Sequence, residues 1–124
     1  MNIIDHRTLA VFEMEGNLMT GVATPSQGAQ QIEAWTSTME PGAATPVHVH
    51  DAEEVVVVLR GRGEVRIAGD TFAFQAPCTL IAPAGVPHQI VNSGTEPLEA
   101  VAAMRLRSAI ATADGEQVKL PWRE

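Results

Sequence analysis

The chain has 124 residues, 45% of them hydrophobic, and a formal charge of -7. That length supports one core burying roughly two thirds of the unfolded surface and leaves no room for a second domain, so residues 1–124 are expected to form a single unit. Lys119 is the sole lysine, and so acidic a balance argues against a nucleic-acid footprint or a polybasic membrane patch, both of which need clustered cations. The first seven residues, Met1 to Arg7, lack the basic start and apolar run of a signal peptide. A cytoplasmic location is therefore expected, and His6 in this polar segment reads as solvated.

Residues 17–30, rich in Gly, Thr, Ser and Gln, read as a mobile loop, an arm crossing to a partner or a solvated linker, within an N-terminal arm of about residues 1–30. Residues 31–39 alternate as a strand. His48-Val49-His50 follows, then a turn at Asp51-Ala52. From Glu54 a β-branched run extends to Leu59, apolar at consecutive positions, so both of its faces are expected to be covered. One face would meet the core and the other a second layer, which points to a homodimer. Arg60, Arg62 and Arg66 alternate with Gly61, Gly63 and Glu64 and read as an exposed edge. A hairpin is expected from residues 64–68 and 71–74, reversing across Gly69-Asp70. Residues 79–82 form a strand bordered by Cys78, the one cysteine, which excludes an internal disulfide and reads as a small core residue. Pro83 to Pro87 is a stiff turn, Ile90-Val91 a strand, and residues 92–95 a turn. A further strand spans residues 98–106, and residues 113–115 reverse the chain before Val118 to Trp122. No long helical period and no transmembrane run interrupt this all-β pattern.

Three of the four histidines stand beside a carboxylate in two of these segments. The two-residue strand period sends His48 and His50 to one face while Val47 and Val49 point to the other. Glu54, at the start of its strand, can swing its carboxylate back toward them. His88 follows a turn in which Pro83 and Pro87 fix φ and Gly85 permits a positive one, so its imidazole is held in a set direction. His48, His50, Glu54 and His88 thus read as ligands of one divalent transition metal, Mn, Fe, Ni, Cu or Zn, with the ligand set selecting none of these. Imidazoles must be neutral to bind, and metal loss is expected on acidification toward pH 5.

The same residues resemble the cupins. That family's first motif is Gly, five residues, His-x-His, three or four residues, Glu, six residues and Gly, and residues 42–61 match it throughout. Its second motif is matched by Pro83, Gly85, His88 and Asn92 within residues 77–92, except that Pro77 stands at the leading glycine and requires a different backbone conformation there. The resemblance implies a double-stranded β-helix, or jelly-roll barrel, with the metal in its mouth.

Three functions are consistent with such a site. The first is a metal-dependent enzyme acting on a small organic molecule, with dioxygenase chemistry favoured. Glu54 would then add a catalytic role, shuttling a proton as resemblance to flavonol-cleaving cupins suggests, while Glu53 remains a solvated neighbour. Trp35, Met39, Phe72 and Phe74 are candidates to line the pocket. The second is an isomerase or lyase of a sugar or oxo-acid, for which a clamp of Arg or Lys is scarce. The third is a non-catalytic module binding a small ligand. Tyrosine is absent, which excludes tyrosine general acids and the cysteine-tyrosine crosslink of thiol dioxygenases.

Overall fold

Strand periodicity and strand pairing together generate the barrel. In the computed structural model, which describes residues 1–123, eleven strands appear in chain order. They are β1 (Phe12–Met14), β2 (Asn17–Ala23), β3 (Ile32–Met39), β4 (His48–His50), β5 (Glu54–Arg60) and β6 (Arg62–Ile67), then β7 (Asp70–Gln75), β8 (Cys78–Ala82), β9 (His88–Val91), β10 (Leu98–Arg105) and β11 (Ile110–Thr112). They form two antiparallel sheets in the orders β1-β2-β3-β10-β5-β8 and β11-β4-β9-β6-β7, the jelly-roll architecture expected of the sequence. No helix among the described residues is long and apolar enough to cross a membrane.

Register sorts the side chains. Across the larger sheet Trp35, Ala102, Val56 and Leu80 fall in one transverse row, and Ser37, Ala100, Val58 and Cys78 in the next. These rows face the smaller sheet, and Trp35, Met39, Val56, Val58, Leu98 and Met104 form the centre of the core. Cys78 is half-buried against that cluster with a free thiol.

Several sequence expectations change. Residues 17–23 are no loose loop: β2 pairs with β3 from Asn17 opposite Met39 onward, because Asn17, Met19 and Gly21 alternate inward to match the β3 pattern. The segment after it is also tied down. Gln27 donates from its side-chain amide to the Gly21 carbonyl and accepts from the Thr24 N–H. The β6–β7 hairpin turns at Ala68-Gly69, both at positive φ (52° and 81°), and not at Gly69-Asp70. Such a two-residue reversal suits the right-handed twist of its strands, and it releases Asp70 to pair with Ile67. Where Pro77 replaces the family's glycine, the Ala76–Pro77 peptide is cis. The β5 run is covered on one face only within the chain. Val56 and Val58 are buried, whereas Val57 and Leu59 are 38% and 61% exposed.

One interior residue carries a charge that its neighbours had not foreshadowed. Glu33 lies in the β3 row that points into the barrel and is fully buried. Its carboxylate accepts from Trp122 Nε1 at 3.0 Å and from the Arg123 guanidinium, whose Nη1 also reaches the Ser108 carbonyl at 2.8 Å. Trp122 packs on Trp35 with ring centroids 5.6 Å apart. A Cβ at position 21 would come within 2.6 Å of the Trp122 ring, so Gly21 leaves the slot that this ring fills. The C-terminal segment is thereby pinned across one end of the barrel. Removing one member of a buried ion pair strands the other charge, at a typical cost of about 3 kcal/mol or more. Glu33→Ala is expected to lower the thermal midpoint by roughly 10 °C in calorimetry, and an unchanged midpoint would show that the pair contributes nothing.

Candidate metal centre

The site depends on a change of sheet. His48 and His50 belong to β4 in the smaller sheet, where β11 flanks them on one side through the His50–Ile110 and His48–Thr112 pairs, while His48 faces His88 of β9 on the other. After His50 the chain bends, Asp51 Oδ1 accepting from the Ala109 N–H at 2.9 Å, and enters the larger sheet at Glu54. Carboxylate and imidazoles thus approach from opposite sheets although only three residues lie between His50 and Glu54. His88 opens β9 directly behind the Pro83 to Pro87 turn. There Gly85 takes φ of 76° and its N–H binds the His50 carbonyl at 2.8 Å, fastening the turn to β4.

The four side chains that the sequence singled out come together. One potential ligand atom from each of His48, His50, Glu54 and His88 lies within 4.8 Å of all the others. Glu54 Oε1 stands 3.4 Å from His88 Nε2 and 3.7 Å from His50 Nε2. Atoms bound at about 2.1 Å to one ion stand about 4.2 Å apart when opposite and about 3.0 Å apart when adjacent in an octahedron, so a pair at the 4.8 Å limit closes by about 0.6 Å to become opposite ligands and by more to become neighbours. The imidazoles are oriented from behind. His48 Nδ1 lies 2.7 Å from the Pro46 carbonyl and His88 Nδ1 3.2 Å from the Val86 carbonyl. A carbonyl can only accept, so each Nδ1 carries a hydrogen, and in the neutral ring each Nε2 is left with its lone pair for an ion.

Both ring nitrogens of His50, and Nε2 of His88, are buried without a hydrogen-bond partner. Buried polar atoms are ordinarily satisfied, and an ion at this point would satisfy His50 and His88 together. The donor set, three imidazole nitrogens and one carboxylate, fits a first-row divalent ion. Electrostatics also prepare the site. Burial pushes the His50 imidazole down to about 4, with His48, His88 and Arg123 adding to that effect and Glu54 opposing it. Burial likewise lowers His48. At His88 burial acts in the same direction, but the nearby Glu54 carboxylate and the Val86 carbonyl outweigh it and raise this imidazole above its usual range.

A cavity of about 730 Å³ opens on this cluster. His48, His50 and Glu54 appear on its wall, which is otherwise built largely of apolar side chains such as Trp35, Met39, Val56, Val58, Phe74 and Leu98. Phe72, expected in this lining, is instead 55% exposed. It shares a face with Phe74, two residues on, but it pairs with Val65 nearer the β6–β7 turn, where the larger sheet no longer covers the hairpin, whereas Phe74 lies against Gly63 and packs on the core. The exposed rim carries Glu13, Glu15 and Glu116 together with Lys119. Glu53 and His6 are exposed, as read from the sequence, and so are Arg60, Arg62 and Arg66. Asn92, the last residue of the second motif, is structural: its amide donates to the Met39 and Glu96 carbonyls, both at 2.9 Å, and accepts from the Gly94 N–H. The carbonyls of Pro46 and Val86 and the rim carboxylates escaped sequence reasoning because backbone groups and isolated glutamates carry no spacing signal.

Comparison with known proteins agrees with this geometry. The family model described as a cupin domain matches residues 35–104, more than half of the chain. The chain belongs to the cupin family. Auxin-binding protein 1 of Arabidopsis thaliana is 34% identical over 90 residues, covering 65% of this chain and 46% of its own. Polyketide synthase CurC of Streptomyces cyaneus is 34% identical over 82 residues, covering 65% of this chain and 53% of its own. This cupin spans about half the length of the curated relatives it matches. Among solved structures, the oxalate decarboxylase formate complex of Lactobacillus farciminis superposes with a TM-score of 0.78 at 25% identity, covering 87% of this chain and 34% of that one.

Metal binding must compete with protons. In the ion-free site His88 holds its proton to a higher pH than a free imidazole, whereas His50 stays neutral until about pH 4. Affinity for Zn(II) in calorimetric titration is therefore expected to fall once pH drops below His88's raised range, before pH 5 is reached. Binding near neutrality should release a proton, visible as a buffer-dependent heat. His50→Ala is expected to weaken binding by more than about 100-fold, beyond the loss typical of an outer-shell partner. An affinity unchanged by either pH or substitution would contradict ligation by these imidazoles.

Proposed function

We propose that His48, His50, Glu54 and His88 hold one divalent transition metal, and that this cupin is a metal-dependent dioxygenase of a small, largely apolar molecule bearing a phenol, enol or diketone oxygen. The observation that carries this reading is the convergence of three imidazoles and a carboxylate at an apolar cavity of a size that accepts a two- or three-ring compound. When bound, a six-coordinate ion would have two positions beyond these four ligands, supplying Lewis acidity to a substrate oxygen and a place for dioxygen. The chain's own residues handle binding and protons. Trp35, Met39 and Phe74 desolvate the rings. Glu54, 4% exposed, is placed to take the hydroxyl proton of an arriving phenol or enol on a carboxylate oxygen and return it later, a role worth typically 10²–10⁴-fold in rate.

The rim favours a neutral substrate. Glu13, Glu15 and Glu116 repel anions at the entrance, and no arginine lines the cavity among the described residues. Lys119 is the one lysine or arginine on the wall among the described residues and is set among those three glutamates, a balance that disfavours an isomerase or lyase of a sugar or oxo-acid, which needs an anion clamp. Two other readings have specific support. Identity to polyketide synthase CurC favours oxygen-independent Lewis-acid chemistry on a polyketide, and identity to auxin-binding protein 1 favours a ligand-binding role without turnover. Oxygen uptake by Fe(II)- or Mn(II)-loaded protein against phenols, flavonols and diketones separates them. Substrate-dependent uptake is expected, with kcat reduced by about 100-fold or more in Glu54→Gln. Substrate loss without oxygen uptake would favour the polyketide reading, and consumption of neither would favour the binder.

We also propose a homodimer through the outer face of the larger sheet. Val55, Val57, Val101, Ala103 and Ile81 adjoin there in register, with Ile81 62% exposed. The middle of that face carries no charge, and a two-fold axis would bury it against its own copy. Light scattering is expected to give twice the chain mass, and half that value for Ile81→Arg. A monomeric mass for the unaltered protein would refute the pairing.

A further inference from the structure

Asn17 is 8% exposed and uses only part of its amide. Oδ1 accepts the Ser37 hydroxyl at 2.6 Å, whereas Nδ2 has no hydrogen-bond partner among the described residues. Both side chains lie on the wall of the cavity that also carries His48, His50 and Glu54. Nδ2 is not one of the buried polar atoms without a partner, so its donors are open to the cavity, where water or an entering ligand oxygen can accept from them. The Ser37 hydroxyl fixes which end of the amide faces inward, so the site presents an oriented donor.

Its location follows from register. Glu54, Met104 and Glu33 form one inward row, and Val58, Ala100 and Ser37 form another, four residues further along each of the β3 and β5 strands. Four residues of strand correspond to roughly 13 Å. Asn17, opposite Met39, lies one row beyond Ser37 on the neighbouring strand. Between the two ends stand Val56, Ala102 and Trp35, so the cavity reads as cation site, apolar channel and amide donor in that order.

We propose that Asn17, positioned by Ser37, is the second anchor of the ligand and selects a flat, extended phenol or enol with a hydroxyl or carbonyl at the end remote from its metal-binding oxygen. This rests on the functional reading above and specifies its substrate. The anchor acts on binding at a distance from the metal, so it discriminates between compounds that are identical at the metal end. Short diketones, which reach the metal but not Asn17, gain nothing from it.

The test uses Co(II)-loaded protein under anaerobic conditions, titrated with 3-hydroxyflavone and its 4′-hydroxy derivative. Cobalt absorption reports the metal end, and Trp35 fluorescence reports occupancy of the channel. Both compounds are expected to shift the cobalt bands. The derivative should bind about tenfold more tightly, what one well-placed hydrogen bond can supply. In Asn17→Leu that preference should shrink to within about twofold while the cobalt shift persists. Ser37→Ala, a milder change that frees the amide to rotate, should reduce the preference several-fold and serves if the leucine variant does not fold. A wild-type protein indifferent to the 4′-hydroxyl, or variants that keep the preference, would overturn the anchor and leave the metal reading intact. Cobalt bands unmoved by either compound would overturn both.

Discussion

The bend between His50 and Glu54 is the constraint on which the site depends. It carries the chain from the smaller sheet to the larger, and it turns a spacing of four residues into a meeting across the barrel, with Glu54 Oε1 3.7 Å from His50 Nε2. Had β4 simply continued, residues 48, 50, 52 and 54 would line one face of a single strand, spread over roughly 20 Å. The Ala109 N–H on Asp51 and the Gly85 N–H on the His50 carbonyl hold the bend from two directions. The second of these also brings in His88. Backbone hydrogen bonds therefore gather ligands that attract one another only weakly while no ion is present.

Assembling such a centre has an energetic cost that the rest of the fold offsets. Three buried ring nitrogens lack hydrogen-bond partners, and His50 is held neutral far below its ordinary range. The two histidines also oppose one another in linkage. His50, lowered from 6.5 to about 4, contributes stability above pH 6.5 that is lost as pH falls toward 4. His88, raised by Glu54, contributes stability below 6.5 that is lost as pH rises through its elevated range. Against these costs stand the core around Trp35, Val58 and Leu98 and the buried Glu33–Arg123 pair. The latter closes the barrel end near His50, close enough for the guanidinium to help keep that imidazole unprotonated. A pair whose first role is to seat the C-terminal segment also tunes the candidate ligand.

The cavity joins these two functions of the fold. Its apolar wall is the core left open on one side, and the strand that supplies Val56 and Val58 to packing also supplies Glu54 to the candidate metal site. The few polar groups spared from the wall are Asn17 and Ser37 on β2 and β3 and glutamates at the rim. A neutral ring system fits that distribution, with polarity at its ends and none along its middle.

Much of this was legible before any coordinates. The period of two, the stiff turn around Gly85 and the His-x-His pair followed by a carboxylate are local patterns, and local sterics convert them directly into strands, a turn and a shared face. The four candidate ligands and the all-β class follow from those. Pairing across the chain was not legible. Residues 17–23 have the composition of a loop and become a strand because β3 offers a matching edge. Phe72 and Phe74 look alike in the sequence and share a face of β7, and only the extent of the opposite sheet decides that Phe74 is covered and lines the cavity while Phe72, nearer the hairpin turn, stays exposed. Nothing in the sequence around Glu33 signals its burial, which rests on Arg123, ninety residues on, folding back to pair with it. Short-range order is written in neighbouring residues, whereas burial, charge pairing and the open amide of Asn17 arise from contacts between segments that share no spacing, and these exist only once the barrel has closed.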